Sequence, residues 1–141
     1  MKYLLLTLSS LLIVGCSTFT KAPSNYDVIV QVSGGPAYVT YTNDMPDGWR
    51  GYQTKNRVYL RPEQRGNPAT LAHELEHVRQ YYNHPFMSKF NRELLAYREE
   101  IKAKPKAEQE EYAAWVADRM RGPIYKFKVD REKLIRLLLA K

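Results

Sequence analysis

The alternation of apolar and polar positions at the start of the folded part predicts a small β-sheet. Residues 27–33 form a β-branched run, and residues 37–42 alternate between two faces as its expected antiparallel partner. A loop rich in proline, aspartate and glycine follows. Residues 51–60 then have the pattern of a β-hairpin that turns at Lys55 and Asn56. The pattern therefore predicts four short strands.

After the hairpin the apolar period lengthens to that of a helix. The segment 67–82 starts with an N-cap residue, Asn67, and has Pro68 at its first helical position. No helix breaker follows until Pro85. Apolar residues recur at i, i+4, i+7 and i+11 and make one stripe: Leu71, Leu75, Val78 and Tyr82. This helix is predicted to bury that stripe against the sheet.

Further helices are predicted along the rest of the chain. Residues 87–104 carry a second apolar stripe, formed by Phe90, Leu94, Tyr97 and Ile101. Residues 106–121 and 130–140 have the periodicity of two more helices, and residues 124–129 are expected to form a short strand between them. A small antiparallel or mixed sheet followed by helices is an α+β fold.

The first predicted helix contains the pentapeptide His73-Glu74-Leu75-Glu76-His77, which has the pattern H-E-x-x-H. Two histidines four residues apart lie on one helix face, so both imidazoles can reach one metal ion. Glu74 lies at the flank of that face, where a carboxylate can accept a proton from a water on the metal. The same pattern also occurs on solvated helix faces without a metal. Here both histidines project roughly opposite the apolar stripe, which favours a metal site over a buried core histidine.

A third metal ligand has to come from another part of the chain, because catalytic zinc usually has three protein ligands and a water. On the second predicted helix, Glu93 lies at about 60° from the centre of the apolar stripe and could point inward. Glu100, two turns later on a similar face, is the alternative. Glu99 points away and is interpreted as a surface charge, and His84 is a weaker candidate at the turn after the first helix.

The pentapeptide, followed by a helix with the residues Glu93-Leu94-Leu95-Ala96, resembles the gluzincin branch of the zincin metallopeptidases. The resemblance covers roughly residues 57–100 and implies a minimal version of that fold. It implies one zinc ion per chain with three protein ligands, His73, His77 and Glu93, and Glu74 as general base in peptide hydrolysis. The chain departs from the pattern at Tyr97, where many relatives carry an aspartate that orients a ligand histidine. The partners of the histidine ring nitrogens therefore stay open.

The N-terminus has the anatomy of an export signal. Residues 1–15 combine a positive start with an apolar run that is too short for a transmembrane helix. The residues Ile13-Val14-Gly15-Cys16 resemble a bacterial lipobox, which implies cleavage before Cys16 and its acylation, palmitate included. The alternative is an ordinary secretory signal with a chance cysteine. Residues 16–25 are then a lipidated tether, and residues 26–141 make one domain.

The expected location is the bacterial cell envelope. A lipid on Cys16 would anchor the mature chain to a membrane, and Ser17, by resemblance to sorting in Gram-negative bacteria, favours the outer membrane facing the periplasm. The formal net charge of +7 is dispersed along turns and helices. We interpret this charge as one that favours solubility and attraction to anionic lipid. A nucleic-acid partner would instead need a clustered basic stripe.

The sequence thus predicts a membrane-tethered zinc peptidase that acts on a peptide or protein. Residues 37–42 are expected to be an exposed strand that pairs with extended substrate. Trp49 and Trp115 are interpreted first as packing residues. A tyrosine could stabilise the developing oxyanion, with four candidates: Tyr81, Tyr97, Tyr112 and Tyr125. The alternative function is a non-catalytic envelope lipoprotein that keeps a zincin scaffold as a binding or structural module. Two features motivate this alternative: the departure from the family pattern at Tyr97, and the small size of the domain, which is expected to leave little room for a substrate cleft.

Overall fold

The computed structural model describes residues 25–140 of the chain. The predicted signal peptide, the predicted lipidation site Cys16 and the tether up to residue 24 lie outside the described residues, as does Lys141. Within the part described, a four-stranded mixed sheet is followed by four α-helices. The predicted α+β fold class is therefore confirmed.

The sheet contains strands β1 (Val28–Val32), β2 (Gly35–Tyr41), β3 (Gly51–Thr54) and β4 (Arg57–Leu60), in the spatial order β1-β2-β4-β3. β2 is antiparallel to β1 and parallel to β4, while β3 and β4 form an antiparallel hairpin. The hairpin turns at the predicted place, where Lys55 has a positive φ of 56°. The β-branched and aromatic residues of these segments thus form the strands that their alternation predicts.

The prediction that residues 37–42 form an exposed strand for substrate is wrong. Val39 pairs with Val28 on one side and with Val58 on the other, so both edges of β2 are occupied. The reason is that β4, rather than β3, lies beside β2, which moves β3 to the edge. The edges of the described sheet are β1 and β3.

Four helices follow: α1 (Pro68–Asn83), α2 (Lys89–Lys102), α3 (Gln109–Arg121) and α4 (Arg131–Leu139), with a 3-10 turn at Lys106–Glu108 before α3. All four predicted helices are present, with ends within about three residues of those expected. The N-termini of α1, α2 and α4 are capped by side chains that accept backbone N–H groups: Asn67 from Ala69, Ser88 from Asn91, and Asp130 from Lys133. Among residues 25–140, no helix has the length and apolar character of a membrane span.

The predicted strand at 124–129 is not formed. The backbone N–H of Lys126 donates to Gly122 (2.9 Å) and that of Phe127 donates to Met120 (3.1 Å). Lys126 has a positive φ of 57°, so the chain folds back onto the end of α3 instead of extending. The apolar alternation here serves packing, because the side chains of Tyr125 and Phe127 lie against the helical core.

Two apolar cores lie on the two sides of the region between α1 and α2. The first joins the stripe of α1 to the sheet: Ala37, Val39, Val58, Leu60, Leu75 and Val78. The second joins α2, α3 and α4: Leu94, Tyr97, Ile101, Ala113, Val116, Ala117, Met120, Leu134 and Leu138. Since α1 buries its stripe on the sheet, its opposite face, which carries the two histidines, faces α2. Packing of these layers places polar groups of α1 and α2 in contact.

The end of α1 is fixed to the turn between β1 and β2. The hydroxyl of Tyr82 donates to the carbonyl of Pro36 (2.9 Å), and the amide of Asn83 donates to the carbonyl of Ser33 (2.8 Å). Gly34 permits this approach, because a Cβ there would lie 2.4 Å from Cβ of Tyr82 and its φ is +103°. These contacts set the orientation of the histidine-bearing helix on the sheet.

Candidate metal centre and its cleft

Three predicted ligands meet between α1 and α2. One ligand atom each of His73, His77 and Glu93 lies within 4.8 Å of the other two. Nε2 of His73 is 3.8 Å from Oε2 of Glu93, and Nε2 of His77 is 3.8 Å from Oε1. These distances are too long for hydrogen bonds and leave space for an ion between the three side chains.

The donor set fits a divalent cation of the zinc type. Both histidines are 7% exposed. Oε2 of Glu93 is buried and has no hydrogen-bond partner among residues 25–140. A buried carboxylate oxygen without a partner is costly, and a cation bound there would satisfy it. Two imidazoles and one carboxylate with an open position are a common ligand set of catalytic zinc.

Glu100, the alternative ligand, lies behind His73 instead of in the cluster. Its Oε2 is 3.0 Å from Nδ1 of His73, the nitrogen that points away from Glu93. Among the described residues, this Nδ1 atom has no well-aligned hydrogen bond. The carboxylate of Glu100 is nevertheless close enough to accept one after a small rotation of either side chain. A carboxylate at this position orients a ligand imidazole and makes it more basic. Glu100 therefore supplies the partner that the sequence left open at Tyr97.

Glu100 is 1% exposed and is itself held by two donors. Arg50, from the loop before β3, donates to its Oε1 (2.9 Å), and so does the hydroxyl of Tyr112 from α3 (2.6 Å). Burial alone would raise the pKa of Glu100, but the close contact with His73, the hydrogen bond from Tyr112 and the charge of Arg50 outweigh it. The net effect lowers the pKa, so the carboxylate behind His73 stays ionised.

Gln80 has the corresponding place beside His77. Its Oε1 is 3.0 Å from Nδ1 of His77. Its amide nitrogen donates to the carbonyl of Arg92 on α2 (3.1 Å), which identifies the oxygen as the atom that faces the ring. Nδ1 of His77 is therefore the protonated nitrogen, and Nε2 is free to bind a metal. Sequence analysis missed Gln80, although a polar residue one turn after a ligand histidine could have indicated it.

Glu74 lies at the floor of the same site and is 7% exposed. Burial is the largest cause that raises its pKa to about 7. The charge of His73 opposes this rise, while Glu93 and Glu100 act in the same direction as burial. A cation nearby would favour the ionised form. A carboxyl group that exchanges its proton near neutral pH suits general acid–base chemistry.

The weaker candidate His84 and the predicted surface residue Glu99 both lie outside the cluster. His84 is an exposed residue at the C-terminal end of α1. Glu99 accepts from Lys102 (2.7 Å) on the outer side of α2. The interpretation of Glu99 as a surface charge is confirmed.

The cluster lies in a cleft of about 910 Å³. One wall contains β3 and the loop before it, and the other contains residues of α3 and the segment that follows it. Trp49 and Trp115 line these walls and are 51% and 45% exposed, so their interpretation as packing residues is wrong. The expectation that so small a domain leaves little room for a cleft is wrong as well, because the two separate cores leave a gap between them.

Three of the four candidate tyrosines line the cleft: Tyr97, Tyr112 and Tyr125. Tyr112 is bound to Glu100. The ring of Tyr97 packs edge-on against His73 with centroids 4.5 Å apart, and its hydroxyl is 3.3 Å from that of Tyr125. Burial raises the pKa of Tyr125, and Tyr97 and Glu93 act in the same direction, so Tyr125 stays a neutral donor. Tyr81 is not among the lining residues.

No family model, no curated protein and no solved structure matches this chain. Membership of the gluzincins therefore stays a prediction from the motif. The α+β fold and the convergence of the motif residues in one cleft are the findings on which a functional proposal has to rest.

Proposed function

We propose that this protein is a zinc-dependent peptidase. The observation that carries the proposal is the meeting of His73, His77 and Glu93 around a buried oxygen without a partner, with Glu74 beside them in an open cleft. A zinc ion held by the three ligands would supply a Lewis acid that polarises a carbonyl and makes water more acidic.

Glu74 is proposed as general base and then general acid. Its carboxylate accepts a proton from the attacking water while the bond between the water oxygen and the scissile carbon forms. When the carbon–nitrogen bond breaks, the same carboxyl group returns the proton to the leaving amine. Burial raises the pKa of Glu74, and a cation bound beside it would lower the pKa again, which favours the carboxylate form that accepts the proton.

The edge strand β3 is the proposed docking strand for the peptide. Gly51, Tyr52 and Gln53 line the cleft, and β3 pairs only with β4 among the described strands. A Cβ on Gly51 would lie 3.5 Å from Cγ of Glu74, so the β3 backbone runs directly beside the proposed base. An extended peptide added to this edge by main-chain hydrogen bonds would pass in front of Glu74.

The anchoring of the chain belongs to the same proposal. We infer that acylated Cys16 tethers the domain to the envelope, with the outer membrane facing the periplasm as the favoured site. Incorporation of a palmitate analogue that disappears in Cys16→Ser would support this, and equal incorporation in both proteins would contradict it.

The decisive experiment compares the full chain with Glu74→Gln in detergent. Wild type should contain about one zinc per chain and cleave members of a peptide library, as followed by mass spectrometry. Glu74→Gln should keep the zinc and lose the cleavage. Glu99→Gln, which removes a surface carboxylate from α2, is the matched control and should behave as wild type. Identical products from wild type and Glu74→Gln would instead favour the non-catalytic lipoprotein.

A further inference from the structure

We propose that the cleft selects substrates that carry a carboxylate, and that Lys89 and Arg119 bind it. The inference rests on the proposed function, since it names the substrate class of the same site. The carboxylate could belong to the C-terminus of a peptide or to an acidic side chain, which have the same chemistry.

The first argument concerns the ion-pair partners of the four cations that line the cleft: Arg50, Lys89, Arg92 and Arg119. Arg50 is occupied by Glu100. None of the other three has a carboxylate within 4.0 Å among residues 25–140. Three cations that face one cleft without an acidic partner attract an anion into it.

The second argument concerns the charge balance between these cations and the four acidic side chains of the same cleft: Asp47, Glu74, Glu93 and Glu100. Glu93 faces the two histidines, Glu100 is shared by three partners, and Glu74 lies at the floor. The four acidic and four basic side chains balance, so a divalent cation would leave a net charge of +2. Such a cleft favours an anionic substrate over a neutral one.

The third argument is the position of two of the cations. Arg119 donates through Nε to the hydroxyl of Tyr97 (3.0 Å), and Nζ of Lys89 lies 5.7 Å from the centre of the ring of Tyr125. The two tyrosine hydroxyls are 3.3 Å apart. Lys89 and Arg119 therefore flank one tyrosine pair, whose first member packs against the proposed ligand His73.

The guanidinium of Arg119 still has donors to offer. Its terminal nitrogens have no acceptor among the described residues, and its central carbon lies 5.5 Å from the ring of Trp115. A guanidinium that is positioned through Nε and presents its remaining N–H groups to a cleft is well suited to bind a carboxylate. A substrate carboxylate bound there would lie one tyrosine side chain away from the metal ligands.

The test measures binding without turnover, with the zinc-loaded full chain carrying Glu74→Gln. The probes are two matched pairs: Ala-Ala-Ala with a free or an amidated C-terminus, and an N-acetylated, C-amidated Ala-Ala-Asp or Ala-Ala-Asn. Fluorescence reports binding, because the only two tryptophans of the chain, Trp49 and Trp115, both line the cleft. We expect at least one of the two acids to bind about tenfold more tightly than its amide, as loss of one hydrogen-bonded charge pair predicts. The pair that shows the difference identifies the source of the carboxylate.

Variants decide whether Lys89 and Arg119 cause the preference. Lys89→Gln and Arg119→Gln should each weaken binding of the acid several-fold and leave binding of the amide unchanged. Lys89→Arg and Arg119→Lys keep the charge and should restore most of the preference, which a purely structural role would not produce. Lys133→Gln removes an equal charge from the exposed side of α4 and serves as control.

Two outcomes would overturn the proposal. Equal affinity for acid and amide in both pairs would show that the cleft does not select a carboxylate. A preference that survives in both Lys89→Gln and Arg119→Gln would show that neither of these two cations binds the carboxylate. The proposed peptidase activity fails separately, when wild type cleaves no peptide while the charge preference still depends on Lys89 and Arg119.

Discussion

Oε2 of Glu100 lies 3.0 Å from Nδ1 of His73, on the side of the imidazole opposite Glu93. A single residue of α2 thereby lies in position to orient a predicted ligand that belongs to α1. The same carboxylate is bound by Arg50 and Tyr112, so the loop before β3 and helix α3 also act on the orientation of this ring. The candidate metal centre is thus connected to both walls of its cleft.

Replacement of Glu100 should weaken metal binding. Glu100→Gln keeps the size of the side chain but removes the negative charge behind His73, and loss of such a partner lowers metal affinity by about 10–100-fold. Competition with a chromogenic chelator measures the Kd for zinc. Glu99→Gln, the neighbouring residue on the outer face, should leave the Kd unchanged. Equal affinities of wild type and Glu100→Gln would show that the contact does not support the metal site.

Removal of the amide of Gln80 should destabilise the fold even without metal. Gln80 is 2% exposed and joins His77 on α1 to the carbonyl of Arg92 on α2. Gln80→Leu leaves the buried Nδ1–H group of His77 without its acceptor, which typically costs about 1–3 kcal/mol in free energy of unfolding. Urea unfolding of the metal-free protein measures this loss. Gln31→Leu on exposed β1 is the control, and a similar midpoint for all three proteins would refute the role of the amide.

Zinc should stabilise the protein through two of its three histidines. At a free zinc concentration about 1,000 times the Kd, the added free energy is about 4 kcal/mol, so addition of a chelator should lower Tm clearly. His73→Ala and His77→Ala should remove this zinc-dependent shift in Tm. His84→Ala should keep it, because His84 is exposed at the end of α1 and outside the cluster. A shift that also depends on His84 would place the metal elsewhere.

The stability that the ion pair between α3 and α4 contributes to the fold should depend on pH. Arg131 donates to both carboxylate oxygens of Asp118 (2.8 and 3.2 Å), and these hydrogen bonds lower the pKa of Asp118 in the folded state. Stability from a lowered carboxyl pKa is present above the unfolded-state value and is lost as pH falls through the folded-state pKa. Wild type should therefore be more stable than Asp118→Asn at pH 7, and the difference should disappear on acidification. Thermal scans across this pH range measure it, and a difference that grows toward acid pH would contradict the assignment.

Local patterns predicted much of the fold. The stripe of α1, its N-cap at Asn67 and the hairpin turn at Lys55 were all predicted, because each depends on residues a few positions apart. The segment 124–129 was assigned wrongly. Its alternation reflects burial of Tyr125 and Phe127 against the helical core, and periodicity alone cannot distinguish that from pairing in a sheet.

The sequence by itself determined that His73 and His77 share one face of a helix with Glu74 at the flank of that face, because helical geometry relates residues three and four positions apart. Only the tertiary structure decided that Glu93 contacts this group while Glu100 contacts the opposite side of the His73 ring. Both glutamates lie on one side of α2, so their different positions depend on how that helix packs against α1. The tertiary structure also decided that β3 forms the edge of the sheet beside the cleft, because strand order depends on contacts that no local pattern encodes.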